Sequence, residues 1–436
     1  MKQEFLPRVL VVGINPWRKD GTAHTLMQIF SCWDASRLAL LYTKSGLPYT
    51  NTASRFFQIS ENLLLKNLLK PWRQIGQEVQ STEVVDKGLT REEEQRYAKA
   101  HKHHSMVLTL CREFVWLLGH WRGKALKNFL KDFTPDILFI PIYPTVYMGW
   151  IQRYVIKKTQ KPFVCYLADD NYSYDSCSSL LSYVHRFWLR KNVKWLSTHC
   201  NQMYVIVEKE KEDTDKRFGT DSIILTKSID FSTRPFIEHP LNHPIRFVYT
   251  GSLIIGRDKT LALIADAINA INNDEVKAEL DIYSKDEPVA DIMARLNRGA
   301  SHHRGFIPRS EVDRVQREAD VVVFAEALEG KAANIAKLSF STKITDYLAN
   351  GKCIFAVGCD YIAPIDYFGR NDSAIIATSI DQILEKIRFI IENPFIIAEY
   401  GHKAYDCAVL NHEKLMIDNR FICSMLEVFN NNACNR

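Results

Sequence analysis

Twice along this chain a short apolar run meets a glycine and gives way to a helical pattern. Arg8-Val9-Leu10-Val11-Val12-Gly13 is the first run, and Arg246-Phe247-Val248-Tyr249-Thr250-Gly251 is the second. A brief stretch of β-branched and apolar residues ending in glycine reads as a strand buried in a sheet. Further runs of this kind alternate with helical segments. In the first half they are Leu38 to Tyr42, Asp136 to Pro141, Pro162 to Leu167 and Met203 to Val207. In the second half they are Ala278 to Ser284, Asp320 to Phe324 and Cys353 to Gly358. Strands separated by helices need crossover connections, and these make parallel sheets with helices on both faces. The expected fold class is therefore α/β, with two Rossmann-like, doubly wound domains facing a central cleft that suits a ligand.

The boundary is expected near residue 240. Phe231 to His243, with Pro235, Pro240 and Pro244 in or beside it, reads as an interdomain linker. The expected domains are residues 1–240 and 241–410. Within the first, Ser54 to about Ile75 reads as one basic amphipathic helix containing Arg55, Phe56, Phe57, Trp72 and Arg73. Met106 to Lys131 reads as another helix, and Tyr183 to Ser197 as a basic aromatic one. His101, His103 and His104 cluster without convincing metal-ligand spacing and read as exposed polar residues.

A length of 436 residues suits two or three domains, and 46% apolar with 25% charged residues is a soluble globular profile. The longest apolar run, Ile137 to Ile151, holds Pro141 and Pro144 and is too short to span a bilayer. No signal peptide is expected, since the N-terminus has Glu4 and no long apolar core, and no disulfide framework, since the ten cysteines are scattered without a C-x-x-C pair. A reduced, cytoplasmic setting follows. Residues 1–240 carry 34 Lys and Arg against 24 Asp and Glu, whereas residues 241–436 carry 22 against 27. The basic half points to an anionic acceptor or an anionic membrane surface as partner, with the helices at Ser54–Arg73 and Tyr183–Ser197 as contact elements. No nucleic-acid partner is expected.

The densest chemistry lies at Phe340-Ser341-Thr342-Lys343-Ile344-Thr345-Asp346-Tyr347-Leu348-Ala349-Asn350-Gly351-Lys352. Hydroxyl residues and a lysine open a short helix that stops at Asn350-Gly351. Such an N-terminus presents unpaired N–H groups and a positive dipole end to a phosphate. Lys343 would add a full charge, and Asp346 could accept from a ribose hydroxyl. An ordinary capped helix before a buried strand would also fit the spacing.

The segment resembles the donor-phosphate loop of GT-B glycosyltransferases, close to glycosyltransferase family 4. In bacterial capsule and O-antigen enzymes of that group it runs S-F-S-T-K-x-x-D-Y-[LM]-A-x-G-K. The resemblance extends from about His243 to His412 and is mainly architectural before that. It implies a nucleoside-diphosphate sugar as donor, a glycan or lipid-linked glycan as acceptor, and retention of configuration. It also implies a last helix, about 411–430, that packs on the N-terminal domain. Gly251, Ser252, Arg257 and Lys259 look like the family's G-x-L…R/K diphosphate element, facing Ser341, Thr342 and Lys343. Gly305, Phe306 and Ile307 resemble the turn beside the nucleobase. Asp346 matches the second acidic position of the E-x7-E motif, but the first falls on Leu338. Glu326 and Glu329 lie on a nearby loop as substitutes, or as surface glutamates.

On the acceptor side, Asp169 and Asp170 follow a buried strand. A carboxylate there would orient or deprotonate an acceptor hydroxyl, or else cap the next helix. Gly13, His24 and Thr25 are expected on loops facing the same cleft. The expected catalytic set is Asp169, Asp170, Arg257 and Lys343. No cofactor and no metal are required by any motif present. The alternatives are a non-hydrolysing nucleotide-sugar epimerase on the same fold, or a catalytically silent binding subunit.

Overall fold

The structure is a computed structural model, and it describes residues 6–19, 24–69, 75–82 and 106–434. The chain divides into two compact units. One comprises residues 1–206, 211–226 and 418–436, and the other residues 207–210 and 227–417.

The first unit opens with β1 (Val9–Val12), α1 (His24–Ile29), β2 (Leu38–Tyr42), β3 (Arg55–Gln58), α2 (Glu61–Leu69) and β4 (Gln77–Val79). It continues with α3 (Met106–Leu118), α4 (Lys124–Phe133), β5 (Ile137–Pro141), α5 (Val146–Thr159) and β6 (Phe163–Leu167). Then follow α6 (Leu180–His199), β7 (Gln202–Val205), α7 (Glu208–Phe218) and β8 (Ile223–Ile224). The sheet order is β4-β3-β2-β1-β5-β6-β7-β8, and every pairing is parallel except β3 with β4. The inner strands are buried on both faces, which is why they read as unbroken apolar runs. Each such Val, Leu or Phe contributes about 1.5–3 kcal/mol of burial free energy.

The second unit repeats the plan with β9 (Ile245–Thr250), α8 (Arg257–Ile271), β10 (Ala278–Tyr283), α9 (Ala290–Leu296), β11 (Ser301–Gly305) and α10 (Arg309–Arg317). After these come β12 (Val321–Ala325), α11 (Gly330–Ile335), α12 (Thr342–Ala349), β13 (Cys353–Val357), α13 (Ala363–Arg370) and β14 (Ile375–Ala377). The chain ends in α14 (Ile380–Glu392), α15 (Phe395–His412) and α16 (Lys414–Cys434). The sheet is wholly parallel in the order β11-β10-β9-β12-β13-β14. That is the Rossmann order, with its switch point between β9 and β12.

Three expected elements differ. The helix expected from Ser54 to Ile75 is partly a strand: Arg55–Gln58 pairs with β2, and Phe56 and Phe57 are buried on opposite faces of the sheet. Trp72 and Arg73 lie outside the described residues, as do His101, His103 and His104. The helix expected from Met106 to Lys131 breaks after α3, where a side chain on Gly119 would overlap Leu64 of α2. Segment 231–243 packs along the second unit, with Phe231 and Phe236 against Tyr405. At the chain's end Glu413 is extended and separates α15 from α16. From Asp418 on, α16 belongs to the first unit, where Phe421 meets Phe30 edge-on at 5.2 Å.

Candidate functional site

The carboxyl ends of the strands in the second sheet gather the polar groups. At the switch point β9 and β12 pair only through Val321–Phe247 and Val322–Val248, although both strands run further. The strands splay there, and open α/β sheets bind ligands in that crevice. Arg257, at the start of α8, reaches across it. Its Nε and one terminal nitrogen donate to the two carboxylate oxygens of Glu326, at 2.9 and 2.7 Å. Glu326 directly follows β12 and is 3% exposed, so it is no surface glutamate. Its backbone is fixed as well: its N–H donates to Val357 O, and its own carbonyl accepts from Thr260 Oγ1. Burial works against the Arg257 charge, and the Glu326 carboxylate more than offsets it, so its pKa lies above the ordinary arginine value. One face of the guanidinium is oriented by this bidentate grip.

Lys343 lies in the first turn of α12, and its ammonium rests against Gly251 at the end of β9. A Cβ on Gly251 would overlap Lys343 Nζ. The ammonium also sits 5.6 Å from the centroid of the Tyr249 ring, and makes no ion pair among the described residues. Burial, and then the nearby Arg257 charge, lower its pKa to about 8, while Glu326 and Asp286 pull the other way. Two cations thus share a partly buried corner beside the start of α12. Ser341 precedes that helix without spending its hydroxyl on a cap. Anion binding is what this corner can do: one planar cation, one compact ammonium and helix N–H groups converge on it.

The remaining expected donor residues fall around this corner or away from it. Ser252 donates from its hydroxyl to Asp286 Oδ2 at 2.6 Å, and Leu253 N–H donates to the same oxygen at 2.9 Å, which fixes the loop after Gly251. The tips of β9, β10 and β11 are level, because Gly251 N–H donates to Tyr283 O and Ser284 N–H to Gly305 O. Gly305 takes φ +78°, followed by an exposed Phe306 and a half-buried Ile307. Asp346 Oδ1 is paired with the buried Lys227 Nζ. Lys259 is not brought to the corner. It is exposed and lies about 200° around α8 from Arg257. Leu338 is a buried core residue, and Glu329 is exposed just before α11.

In the first unit the corresponding loops carry less. Asp170 Oδ1 accepts from the N–H groups of Tyr172 and Ser173 at 3.0 and 2.8 Å, and Oδ2 accepts from the Ser173 hydroxyl. Burial raises the carboxyl's pKa, but these bonds and Arg217 outweigh it, so it lies below the ordinary value. Both oxygens of Asp170 are therefore engaged in its own turn. Asp169, beside it, is exposed. Gly13 ends β1, and a Cβ there would lie 3.0 Å from the Tyr143 hydroxyl. His24 and Thr25 open α1.

Sequence reasoning ranked Glu326 below its place, and it overlooked Asp286 and Lys227. The only signal for Glu326 was its position directly after an apolar strand.

No family model matches the chain, and no curated protein matches its sequence. Solved structures do match its fold. Against TarM of S. aureus the TM-score is 0.52 at 13% identity over 70% of this chain, which spans 58% of TarM's length. Against HepE of Anabaena in complex with UDP and glucose it is 0.60 at 10% identity, covering 96% of this chain and 99% of HepE. Against sucrose-phosphate synthase of Thermosynechococcus elongatus it is 0.60 at 9% identity, covering 98% and 100%. What is shared at such identities is the fold, which is GT-B: two Rossmann-like α/β domains.

Proposed function

We propose that this chain is a nucleotide-sugar glycosyltransferase of the family 4 type. It moves a sugar, a hexose in the first instance, to a glycan or lipid-linked glycan in bacterial surface-polysaccharide synthesis. Arg257 and Lys343 meeting at the switch point, against a glycine with no room for a side chain, carry the proposal. In the transfer the bond from the sugar's anomeric carbon to the β-phosphate oxygen breaks, and the acceptor oxygen bonds to that carbon. The departing diphosphate takes the electron pair, and the acceptor's proton leaves to a base. Charge grows on the diphosphate, where Arg257, Lys343 and the N–H groups opening α12 would stabilise it. These groups supply the positive charge that a metal would otherwise bring, so the proposal calls for none.

Gly305, Phe306 and Ile307 would border the base, and Asp346, held by Lys227, would accept from the ribose. Uridine is the first base to try: the HepE structures hold UDP, UDP-glucose, or UDP with glucose, and the trehalose-phosphate synthase of Burkholderia vietnamiensis is UDP-forming. Retention follows from the family resemblance. No helix among the described residues is long and apolar enough to cross a membrane; the proposal puts the enzyme at the cytoplasmic face of one.

The experiment is a thermal-shift screen of the purified protein against nucleoside diphosphates and nucleotide sugars, followed by turnover of the hits. The expected outcome is stabilisation by a nucleoside diphosphate and release of that diphosphate when acceptor is added. Failure of every nucleotide to bind would remove the donor site.

A further inference from the structure

Helices α3 and α6 pack against each other in the first unit. A buried contact pins them together: His185 Nε2 of α6 lies 3.2 Å from Glu113 Oε1 of α3. The same carboxylate accepts from Val146 and Tyr147 N–H at 2.9 and 2.6 Å, so it also caps α5. With their inner faces fixed, the outer faces of the two helices lie alongside each other, and both are apolar. On α3, Val107, Phe114 and Leu118 follow at helical spacing and are 55, 59 and 48% exposed. On α6, Leu180, Val184 and Phe187 do the same at 79, 44 and 47%, with Trp188 beside them at 51%. Scattered exposed apolar residues are ordinary, but two adjoining stripes mark an interaction surface.

Charge selects the partner. Helix α6 carries Arg186, Arg190, Lys191 and Lys194, and no Asp or Glu. Arg186 and Arg190 donate to the carbonyls of Asp170 and Tyr172 and are tied to the body of the unit. Lys191 and Lys194 are exposed and make no ion pair among the described residues. Lys191 Nζ lies 4.5 and 4.7 Å from the centroids of Phe187 and Trp188. The two charged residues of α3 face inward, Arg112 to Glu61 and Glu113 to His185, so no carboxylate of either helix opposes an anion on the outer face. Exposed rings with a lysine rooted among them suit the headgroup layer, where rings sit among lipid and ammonium groups meet phosphate.

We infer that the α3/α6 face docks on an anionic lipid bilayer. Phe114, Leu180, Phe187 and Trp188 enter the headgroup layer, and Lys191 and Lys194 meet the lipid phosphates. The inference goes beyond the donor site and stands without it, since neither nucleotide nor acceptor takes part.

The test is co-sedimentation of the full chain, without nucleotide, with vesicles of phosphatidylcholine alone or mixed with phosphatidylglycerol. The expected result is stronger binding to the mixed vesicles that salt weakens. Lys191→Gln should weaken it about fivefold, the scale for one lysine at an anionic surface. Phe187→Ser with Trp188→Ser should abolish it with the melting temperature kept. Should that pair unfold the protein, Lys191→Gln with Lys194→Gln carries the test alone. No vesicle binding, equal binding to both vesicle types, or binding untouched by the variants overturns the inference. So does self-association that the Phe187/Trp188 variant abolishes while vesicles are ignored, since the face would then hold a second copy.

Discussion

Arg257 and Glu326 form a two-pronged ion pair, 2.9 and 2.7 Å, at the point where the strand order of the second sheet reverses. Glu326 is buried and Arg257 is partly exposed at the crevice, so loss of the arginine should affect both stability and turnover. Arg257→Ala should lower turnover on the order of a hundredfold, the scale for losing one stabiliser of developing charge. It should also destabilise the fold by about 3–5 kcal/mol, because a buried carboxylate loses its partner. Adding Glu326→Gln should restore most of the stability and none of the turnover. Denaturant melts and kinetics on the three variants separate the two effects. Recovery of turnover in the double variant would show that Arg257 does not act on the donor.

Lys343 should make nucleotide binding pH-dependent. In the free protein its pKa is about 8, and a bound diphosphate would raise it. Affinity should therefore be full below about pH 8 and decline as pH rises through that value, with proton uptake on binding near it. Lys343→Met should bind more weakly and lose that dependence. Calorimetric titration across pH in buffers of different ionisation enthalpy measures both. A flat wild-type profile between pH 7 and pH 9 would remove Lys343 from the phosphate.

Gly251 reports on the same corner from the other side. Gly251→Ala places a methyl where the Lys343 ammonium lies. Displacing that cation should cost roughly tenfold to a hundredfold in kcat/KM, approaching the loss of a stabilising donor. Gly219→Ala, also at positive φ but with open space around it, serves as the control for backbone effects. Similar kinetics in both variants would mean that Lys343 need not occupy this spot.

The two aspartates after β6 should part company. Asp170→Asn should destabilise the first unit by about 1–2 kcal/mol through its cap-like bonds. Because its folded pKa is depressed, that stability is present above the unfolded value and lost as pH falls through the folded one. Asp169→Asn should lower transfer by roughly a hundredfold if it serves the acceptor hydroxyl. Titration with nucleoside diphosphate should give unchanged affinity. Normal transfer by Asp169→Asn would take the acceptor role from this turn.

The inner strands β12 and β13 could be read from the chain because they are unbroken apolar runs between polar turns, as parallel strands buried on both faces must be; β11, Ser-His-His-Arg-Gly at the sheet edge, could not. Nor could Arg55–Gln58. Phe-Phe between Arg and Gln fits a helix stripe as well as a short strand, and only the neighbouring β2 decides it. Within the span that fits one helical pattern, Met106 to Lys131, the break follows Leu118 at Gly119, where Leu64 packs too close for a side chain. Lys343 was visible through its motif, whereas Glu326 was not. A glutamate after a strand reads as a loop residue, and its burial depends on an arginine 69 positions earlier in sequence.

The return of α16 to the first unit has a consequence for synthesis. Phe421 completes a ring cluster with Phe30, Phe139 and Tyr204, and Tyr204 bonds Ser424. Domains made first on the ribosome ordinarily fold first. Here the unit that leaves the ribosome first waits for the last helix to fill its core, while residues 227–417 carry all of their own strands and can close ahead of it. A stop codon just before Lys414 would therefore injure the half of the protein farthest from it in sequence.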